Sequence, residues 1–461
     1  MPSLKASRLL WHDARGITLP LVALTLSALI GFTGLAVETG LWYAIKRQNQ
    51  SAADVAALSG AFELLAVQSY PDICGFAQRD AQRNNFTFTS FTCPASSPGC
   101  TSPLSGQMCA NSPPKTPGTL NFNNSNAVEV ILAQQENALF ASLFLPNVTI
   151  ITRAVAVISV LDQSCILALD PSASNAIFIK GNPTLNEPNC SLVADSNSSS
   201  AIHLQGSATI NADTLVTAGG VTTTGNPSFN LKYPAHTNAP VVPDPYASTL
   251  THAFLTTGMP ATCTPPPTPV AGVTTYSANS RICGGLSIQN QTVNLSPGTY
   301  WVTDGDLALQ ANGVLECTAC NPTTGAGITI IFTIVTGTTV GTFTGGANSA
   351  VGNPPTAPNF NAPNSGTFKG LLFVQDSNGL PAGTTWSAGT FQGGPSAVLN
   401  GLVYVPKANL TFNGNPAAGG GGCLILVADT VTLSGDSQLN STGCPAAGVS
   451  PPTVKTVALA E

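Results

Sequence analysis

The sequence predicts a mainly β protein in which a right-handed parallel β-helix-like ectodomain follows an N-terminal transmembrane helix and a small α/β region. Three observations favour this fold class. The chain contains 44 Gly and 36 Pro, and only 8% of its residues are charged, which suits short strands and tight turns. One uncharged apolar segment stands near the N-terminus, and a Gly-containing phrase recurs after Cys165. A stacked or sandwich-type β domain is the alternative for the ectodomain.

The charge composition argues against nucleic acid as a partner. The 15 basic and 21 acidic residues give a net charge of −6, and no basic stripe runs along the chain. Proteins that bind phosphate backbones carry a clustered excess of Lys and Arg. The sequence also lacks a phosphate loop, a nucleotide-binding motif and a nucleophile elbow, so it predicts no cofactor.

The apolar segment Ile17–Val37 is long enough to cross a bilayer. It carries no charge and is bounded by Arg15 and Glu38. At about 1.5 Å per residue a helix of this length reaches roughly 30 Å, the thickness of a bilayer core. A cleaved signal peptide would have a shorter apolar region. We therefore expect an uncleaved anchor, with cleavage after the Ala28 region as the alternative.

The charges that flank the segment predict its orientation. Lys5, Arg8 and Arg15 precede it, whereas Lys46 and Arg47 follow it. This bias places residues 1–16 in the cytoplasm and the rest of the chain outside it.

The helix is predicted to continue past the membrane. Trp42 and Tyr43 would lie at the outer interface, where amphipathic rings are favoured. The Ala-rich residues 50–67 extend the helix to Tyr70-Pro71, because the residue before a proline disfavours α geometry. The membrane helix and its extension therefore cover residues 17–70.

The same segment carries a string of spaced residues. The string comprises Arg15-Gly16, Gly31, Gly34–Gly40, Tyr43, Arg47-Gln48 and Ser51–Ala61. It resembles the N-terminal segment of TadG-like proteins of the bacterial Tad/Flp pilus-assembly system. Two positions depart from the family pattern. Glu38 stands where the family usually has Asp, and Leu21 stands where a prepilin-peptidase substrate would have Glu.

The resemblance implies a location, a role and partners. It implies a single-pass protein of the bacterial inner membrane with its ectodomain in the periplasm. The role would be that of a non-enzymatic structural component in surface attachment or envelope anchoring. Its partners would be the inner membrane, other pilus-assembly proteins and cell-envelope or surface polymers. The alternatives are an anchored polysaccharide-active β-helix enzyme and a pilus-independent surface adhesin.

Residues 71–160 are predicted to form a disulfide-tied loop followed by a small α/β region. The strand-like run Ala127–Leu132, a helical stretch Gln134–Leu143 and the β-branched run Val148–Val160 predict strand, helix and strand. The cysteines of the loop are expected to pair among themselves, in an order that the sequence leaves open. They are Cys74, Cys93, Cys100 and Cys109.

Residues 161–445 contain the recurring phrase: an apolar residue, a spacer, Gly with Asn, Ser or Asp, then an apolar residue and Asn. Clear copies begin at Ile179, Leu204 and Leu433. Looser copies begin at Thr223, Ile288 and Phe412. Repeats of about 20 residues with Gly/Asn turns predict stacked β-coils that share one core. Residues 446–461 are predicted to be a tail.

Asp170-x-Ser172-x-Ser174 is the first candidate for chemistry. It matches the metal-coordinating loop of von Willebrand factor A domains, which some TadG relatives carry, and its oxygens could hold Mg²⁺. Such a domain needs strands that alternate with amphipathic helices. The sequence after Ser174 favours strands and turns, so we interpret this segment as a turn.

Asp304-Gly-Asp306 is the only close acidic pair of the ectodomain sequence. A pair of carboxylates is what glycoside hydrolysis requires, and this would be the site of the alternative enzyme. An Asp-Gly-Asp sequence is more often a turn. We therefore predict no catalytic residue and no enzyme activity.

The histidines give no metal site. His203 lies in a predicted strand, and His236 and His252 lie in Pro-rich surroundings. No two of them have the spacing of metal ligands, so the sequence predicts no metal centre.

The 12 cysteines all follow the apolar segment, which indicates an exported, oxidised region. Cysteines one repeat apart would lie on adjacent coils about 4.8 Å apart, within reach of a disulfide. The predicted bonds of the ectodomain are Cys165–Cys190, Cys263–Cys283, Cys317–Cys320 and Cys423–Cys444.

Overall fold

A computed structural model describes residues 18–66, 68–321, 323–345, 350–351, 360–393, 399–414, 423–436, 438–441, 444, 449 and 451–460. The chain divides into two compact units. Unit 1 comprises Met1–Ser159 with Lys455–Glu461, and unit 2 comprises Val160–Val454. The described residues are mainly β with one long N-terminal apolar helix, which confirms the mainly β prediction.

Unit 1 contains two helices and an antiparallel sheet. Helix α1 covers Thr18–Leu65, and helix α2 covers Tyr70–Arg83. The strands are β1 (Gln107–Asn111), β2 (Ala127–Asn137) and the first part of β3 (Asn147–Ala168). β2 pairs antiparallel with both β1 and β3, so it lies between them.

Helix α1 changes character along its length. Its first half is apolar and exposed, as at Leu24, and α1 is long and apolar enough to cross a membrane. Its second half carries Ala53, Ala56, Ala57 and Ala61, all fully buried in a cluster formed with α2 and the sheet. Residues at this spacing share one helix face, and their small side chains let the helix approach α2 and β2 closely.

Two details of unit 1 differ from the sequence prediction. The helix predicted over Gln134–Leu143 is wrong: β2 runs to Asn137, and only Ala141–Leu143 forms a single 3₁₀ turn. Each residue from Gln134 to Asn137 pairs with a residue of β3, and this pairing overrides the helix propensity of the segment. The predicted loop region also begins with α2, which carries Cys74.

Unit 2 consists almost entirely of short strands. They are β4 (Ile177–Gly181), β5 (Thr184–Glu187), β6 (Ser191–Ala194), β7 (Ile202–Gly206), β8 (Thr209–Ala212), β9 (Leu215–Thr217), β10 (Val221–Gly225), β11 (Ser228–Leu231), β12 (Val273–Tyr276), β13 (Ser280–Cys283), β14 (Leu286–Ile288), β15 (Thr292–Leu295), β16 (Gly298–Thr303), β17 (Leu307–Leu309), β18 (Val314–Glu316), β19 (Ile328–Thr333), β20 (Thr339–Val340), β21 (Phe343–Gly345), β22 (Ala350–Val351), β23 (Phe360–Asn361), β24 (Leu371–Gln375), β25 (Thr385–Trp386), β26 (Gly389–Gly393), β27 (Leu399–Gly414), β28 (Leu424–Gly435) and β29 (Gln438–Asn440). A short helix, α3, covers His252–Leu255. The predicted tail contains a strand, β30 (Thr453–Leu459), most of which belongs to unit 1.

The repeated phrase occupies equivalent positions of adjacent parallel strands. Gly181 pairs with Gly206, and Gly206 pairs with Gly225. All three glycines have φ between +93° and +99°, a conformation that L side chains rarely adopt. The apolar residues of the phrase, such as Ile179 and Leu204, are fully buried in the core between the strands. The repeats therefore stack in register.

The order of the strands in the stack differs from their order in the chain. β28 pairs with β27 on one side and with β3 and β4 on the other. From β3 the stack continues outward through β6 and β9, and from β27 it continues the other way through β24, β19, β16 and β13. The chain therefore enters unit 2 in the middle of the stack.

Residues 232–272, which we call the strap, connect one end of the stack to the other. The strap packs Val242, Leu250 and Leu255 against a second apolar cluster that includes Tyr404 and Trp301. The indole Nε1 of Trp301 donates a hydrogen bond of 2.8 Å to the carbonyl oxygen of Leu255. The strap is thus fixed to the stack by both apolar and polar contacts.

Candidate functional site: an acidic pocket beside the strap

An acidic pocket forms where strands of the stack end beside the strap. In the register of the strands, Ala428 pairs with Ala168, and Ala168 pairs with Ala194. Asp429 and Asp195 follow two of these alanines directly. Asp195 lies directly after β6 and Asp429 lies within β28, and both strands pair with β3, so the two aspartates occupy equivalent register positions on either side of β3.

The pocket has a volume of about 330 Å³. Asp195, Asp429 and Asp244 line it together with Lys407, Leu169 and three prolines. The strap closes one side: Val242 N–H donates to Asp195 Oδ1 at 2.7 Å, and Asp244 Oδ2 accepts from the Tyr404 hydroxyl at 2.7 Å.

Burial perturbs the carboxyl groups of the pocket. Burial raises the pKa of Asp195 to about 7, and the nearby Asp244 charge adds to this, while the hydrogen bond from Val242 opposes it. The pKa of Asp429 is also raised, by burial and then by the Asp170 charge, with Lys407 acting in the opposite direction. Near neutral pH Asp195 is therefore partly protonated and can both donate and accept hydrogen bonds, which suits a hydroxyl-rich ligand.

The motifs described above do not include this pocket, although the sequence carries a signal for part of it. Leu192–Asp195 and Leu426–Asp429 have the same sequence, Leu-Val-Ala-Asp. An identical four-residue sequence in two repeats predicts that the two aspartates occupy equivalent positions in the stack. Asp244 could not be found in this way because it comes from the strap, whose course depends on the tertiary structure.

The carboxylates of the Asp304-Gly-Asp306 pair are both engaged with backbone groups. Asp304 accepts hydrogen bonds from the N–H groups of Val335, Thr336 and Gly337. Asp306 accepts one from Thr342 N–H at 2.8 Å. Burial alone would raise the pKa of Asp304, but these hydrogen bonds outweigh it and lower the pKa. Asp304 thus fixes the turn that follows β19, and Asp306 fixes the connection between β20 and β21.

Asp170 also uses its carboxylate locally. Its Oδ1 accepts hydrogen bonds from the N–H groups of Ser172 and Ala173, both at 2.7 Å. This is the geometry of an Asx turn, and it agrees with the turn interpretation of the Asp170-x-Ser172-x-Ser174 segment.

The histidines of unit 2 take part in separate local contacts. His203 stacks on Phe178 and has Asn175 and Thr224 as hydrogen-bond partners. The Nδ1 of His252 lies 2.6 Å from Asp376, which is fully buried and also accepts a hydrogen bond from the Thr333 hydroxyl. The N–H of His236 donates to Leu215 O. Each contact fixes local structure.

All 12 cysteines lie in pairs whose geometry is compatible with disulfide bonds. The Cα–Cα distances are 5.7 Å for Cys165–Cys190 and Cys263–Cys283, 5.3 Å for Cys317–Cys320 and 4.4 Å for Cys423–Cys444. In unit 1 the pairs are Cys74–Cys93 and Cys100–Cys109. Among the described residues, one group has ligand atoms close enough for a metal ion: Cys165, Cys190 and Glu187. Its two sulfurs already belong to a disulfide pair, which leaves one carboxylate as a ligand.

The comparison with known proteins bears on unit 1. A family model described as putative Flp pilus-assembly TadE/G-like matches residues 16–63, which overlap α1. The chain therefore carries a TadE/G-like segment, and the resemblance to TadG-like proteins is confirmed. No curated protein and no solved structure matched the chain.

Proposed function

We propose that this chain, which carries a TadE/G-like segment at residues 16–63, is a membrane-anchored, non-enzymatic structural component of Tad/Flp pilus assembly. The position of that segment is the observation that carries the proposal. It covers the apolar half of α1, which suggests a membrane anchor, and also the Ala-rich half, which is buried in unit 1. One helix would thus join the bilayer to a folded unit outside it.

The proposed topology has the N-terminus in the cytoplasm and α1 crossing the inner membrane once, with unit 2 and the part of unit 1 that follows the span in the periplasm. The charges on either side of the apolar segment support it. The six cysteine pairs are also in keeping with an oxidising compartment. A reporter that is active only outside the cytoplasm tests this topology when it is fused after residue 70. Activity of a cytoplasmic reporter at the same position would refute it.

Unit 2 is proposed to be a right-handed parallel β-helix that acts as a stiff spacer. Parallel pairing in register from β13 at one end to β10 at the other supports this fold. A stack that shares one continuous core resists bending, because each repeat is packed between two neighbours.

The acidic pocket is the proposed binding site for cell-envelope or surface polymers. Its carboxyl groups can hydrogen-bond hydroxyl groups, and its only lining cation is Lys407 among the described residues. A neutral or hydroxyl-rich polymer therefore fits it better than a polyanion.

Deletion and complementation in the native bacterium test the proposal. Deletion should reduce surface pili or surface-attached cells, and the full chain should restore them. A chain with Asp304→Asn and Asp306→Asn should restore them equally if the role is non-enzymatic. Unchanged piliation and attachment after deletion would refute the pilus-assembly role.

Asp195→Asn combined with Asp429→Asn separates the two parts of the proposal. These changes remove two of the three carboxyl groups that line the pocket and keep the shape of the side chains. Pili should then be assembled normally while attachment falls. Unchanged attachment would refute a role of the pocket and leave the assembly role intact.

A further inference from the structure

The turn between β2 and β3 is an exposed apolar tip. We use this name for residues 138–146, which read Ala-Leu-Phe-Ala-Ser-Leu-Phe-Leu-Pro and carry no charge. Its exposed large side chains are Leu139 (71%), Phe140 (53%), Phe144 (89%) and Leu145 (47%). Leaving side chains of this size in water is unfavourable, and burying them is stabilising. A contiguous apolar surface of this kind marks an interaction site.

The apolar tip lies against α1 at a defined level. The Phe140 ring covers Gly34, where a Cβ atom would come within 2.5 Å of the ring. Glu38 is 4% exposed and accepts hydrogen bonds from the backbone N–H groups of Leu139 and Ala141, the latter at 2.8 Å. The tip is therefore held beside residues 34–38 of the helix.

That level corresponds to the outer end of the apolar span. If Ile17–Val37 crosses the bilayer core, Gly34 lies about 5 Å inside its outer boundary, at about 1.5 Å per residue. Trp42 and Tyr43 then lie about 7–9 Å outside it, where aromatic residues are favoured. Segments that bind in the membrane interface bury their apolar face by about 5–10 Å, and the level of the tip agrees with this depth.

We propose that the apolar tip inserts into the membrane leaflet on the ectodomain side and forms a second bilayer contact beside α1. The ligand is the acyl-chain and headgroup region of the lipid. This inference rests on the proposal that α1 spans the membrane. Its consequence is that unit 1 is attached to the bilayer surface at two points, which restricts its tilt.

The backbone of the tip is suited to an apolar environment. Lipid offers no hydrogen-bond partners, so polar groups that enter it must be paired within the protein. Backbone N–H groups of the tip donate to Pro146 O, to Glu38 and to Ala141 O; the donors are Ala138, Leu139, Ala141, Phe144 and Leu145. The Ser142 hydroxyl donates to Leu139 O at 2.7 Å.

A groove beside the tip has the composition of a headgroup contact. It is lined by Trp42, Tyr43 and Lys46 of α1 and by Val148–Ile151 of β3. Ile151 is 49% exposed, and Lys46 provides a cation at the level where lipid phosphates lie. The gradient from apolar tip to aromatic rings to lysine follows the polarity gradient of a bilayer surface, which favours lipid over a protein partner.

Site-specific photocrosslinking of the full chain in nanodiscs of phosphatidylethanolamine and phosphatidylglycerol tests the inference. The photoreactive residue p-benzoylphenylalanine replaces Phe144 in one protein, Leu24 in a second and Leu120 in a third. Leu24 reports the span, and Leu120 is a control that is 96% exposed in another loop of unit 1. Mass spectrometry then measures lipid adducts.

Phe144 and Leu24 should both give several-fold more lipid adduct than Leu120. If Leu24 gives adduct while Phe144 gives no more than Leu120, the tip does not insert and the anchor stands. A cross-link from position 144 to a second copy of the chain would show that the tip contacts protein, and it would refute insertion into lipid. If Leu24 also fails to label, both the anchor and the tip contact are refuted.

Discussion

Gly181 lies directly beside Gly435 in adjacent parallel strands, although the two residues stand near opposite ends of the unit 2 sequence. The first and last repeats of unit 2 are therefore neighbours in the middle of the stack. Ser164 N–H donates to Pro452 O at 2.7 Å, so the chain enters and leaves unit 2 at the same place. The pairing of Gly181 with Gly435 and the hydrogen bond from Ser164 to Pro452 hold the two chain ends of unit 2 together.

The ladder of glycines that includes this pair should be intolerant of side chains. Gly206 has φ of +99°, and a Cβ atom there would lie 2.5 Å from Gly181 O. Gly206→Ala should lower the free energy of unfolding by about 2–5 kcal/mol, from left-handed strain of about 1–2 kcal/mol plus overlap of about 1–3 kcal/mol. Urea unfolding followed by tryptophan fluorescence measures the change.

Gly366→Ala is the matched control. Gly366 has a similar φ of +88° but no atom within 4 Å of the Cβ position. Gly366→Ala should therefore lower the free energy of unfolding only by the strain contribution of about 1–2 kcal/mol. Equal losses in the two variants would show that close strand packing at the ladder has no energetic role.

The local features of unit 2 could be predicted from the sequence, whereas the order of its stack could not. The phrase around Gly181, Gly206 and Gly435 predicts which residues are equivalent, because each strand and turn is encoded locally. Nothing in a repeat specifies whether its neighbour in space is also its neighbour in sequence. The spatial order of the repeats depends on the path of the strap. That path is set by long-range apolar contacts, such as those of Leu255, which the local sequence does not predict.

In unit 1, too, locally encoded structure could be predicted from the sequence, whereas structure set by long-range contacts could not. The Ala-rich half of α1 was predicted as helix because its propensity and its packing agree. Gln134 and Gln135 were predicted as helix and lie in β2, because their backbone pairs with Ile150 and Thr149 of β3. Propensity alone was misleading where a sheet partner 14 or more residues away determined the structure, as the ladder of β2 and β3 shows.

The cysteine pairing remains a prediction that peptide mapping can test. Non-reducing digestion should reveal six disulfide bonds, with the Cys317–Cys320 bond inside a single peptide, and no free thiol. Each of the bonds that closes a loop of 20 to 25 residues should contribute about 3 kcal/mol in the chain-entropy model. Links between Cys165, Cys263 and Cys423, or free thiols among them, would contradict the stacked register.

We expect Asp304 to contribute to the stability of unit 2 and to have no role in glycan cleavage. Asp304→Asn weakens the hydrogen bonds to three backbone N–H groups in the turn after β19 and should cost about 1–2 kcal/mol. The purified ectodomain should not depolymerise glycans, with or without this change. Release of reducing sugar by the unchanged chain and its loss in Asp304→Asn would instead establish the enzyme alternative.

Unit 1 should be sensitive to acid through Glu129. This side chain is fully buried, and it accepts hydrogen bonds from Arg153 at 2.6 Å and from Asn111 at 2.8 Å. Burial alone would raise its pKa, but the hydrogen bonds outweigh burial and lower the pKa. Its contribution to stability is therefore full above the unfolded-state pKa of about 4.3 and is lost as the pH falls through the folded-state pKa.

Pulse proteolysis in urea, with mass spectrometry of peptides from residues 68–159, measures this dependence. Glu129→Gln should lower the stability of unit 1 at pH 7 and remove part of its acid sensitivity. Glu136→Gln is a control, because Glu136 lies on the same strand and is not buried. An acid profile that is identical in Glu129→Gln and the unchanged chain would contradict the role of Glu129.

Unit 2 should show the opposite dependence through Glu187. Burial raises the pKa of this carboxyl to about 8, although hydrogen bonds from Ser441 oppose the shift. In the folded state Glu187 therefore stays protonated at pH values where the unfolded chain has lost the proton. Its contribution is fully present below about pH 4.3 and declines as the pH rises towards 8, by up to about 1.4 kcal/mol per pH unit.

Glu187→Gln keeps the shape of the side chain and cannot ionise. The stability of unit 2 should then become flatter between pH 5 and 8, as measured by urea unfolding with Trp301 and Trp386, which both lie in this unit. Glu316→Gln is the matched control, because the pKa of Glu316 is also raised by burial but the side chain is only partly buried. Glu316→Gln should change the slope of unfolding free energy against pH less than Glu187→Gln does. A slope that survives Glu187→Gln unchanged would mean that Asp195, whose pKa is about 7, controls the response of unit 2 to pH.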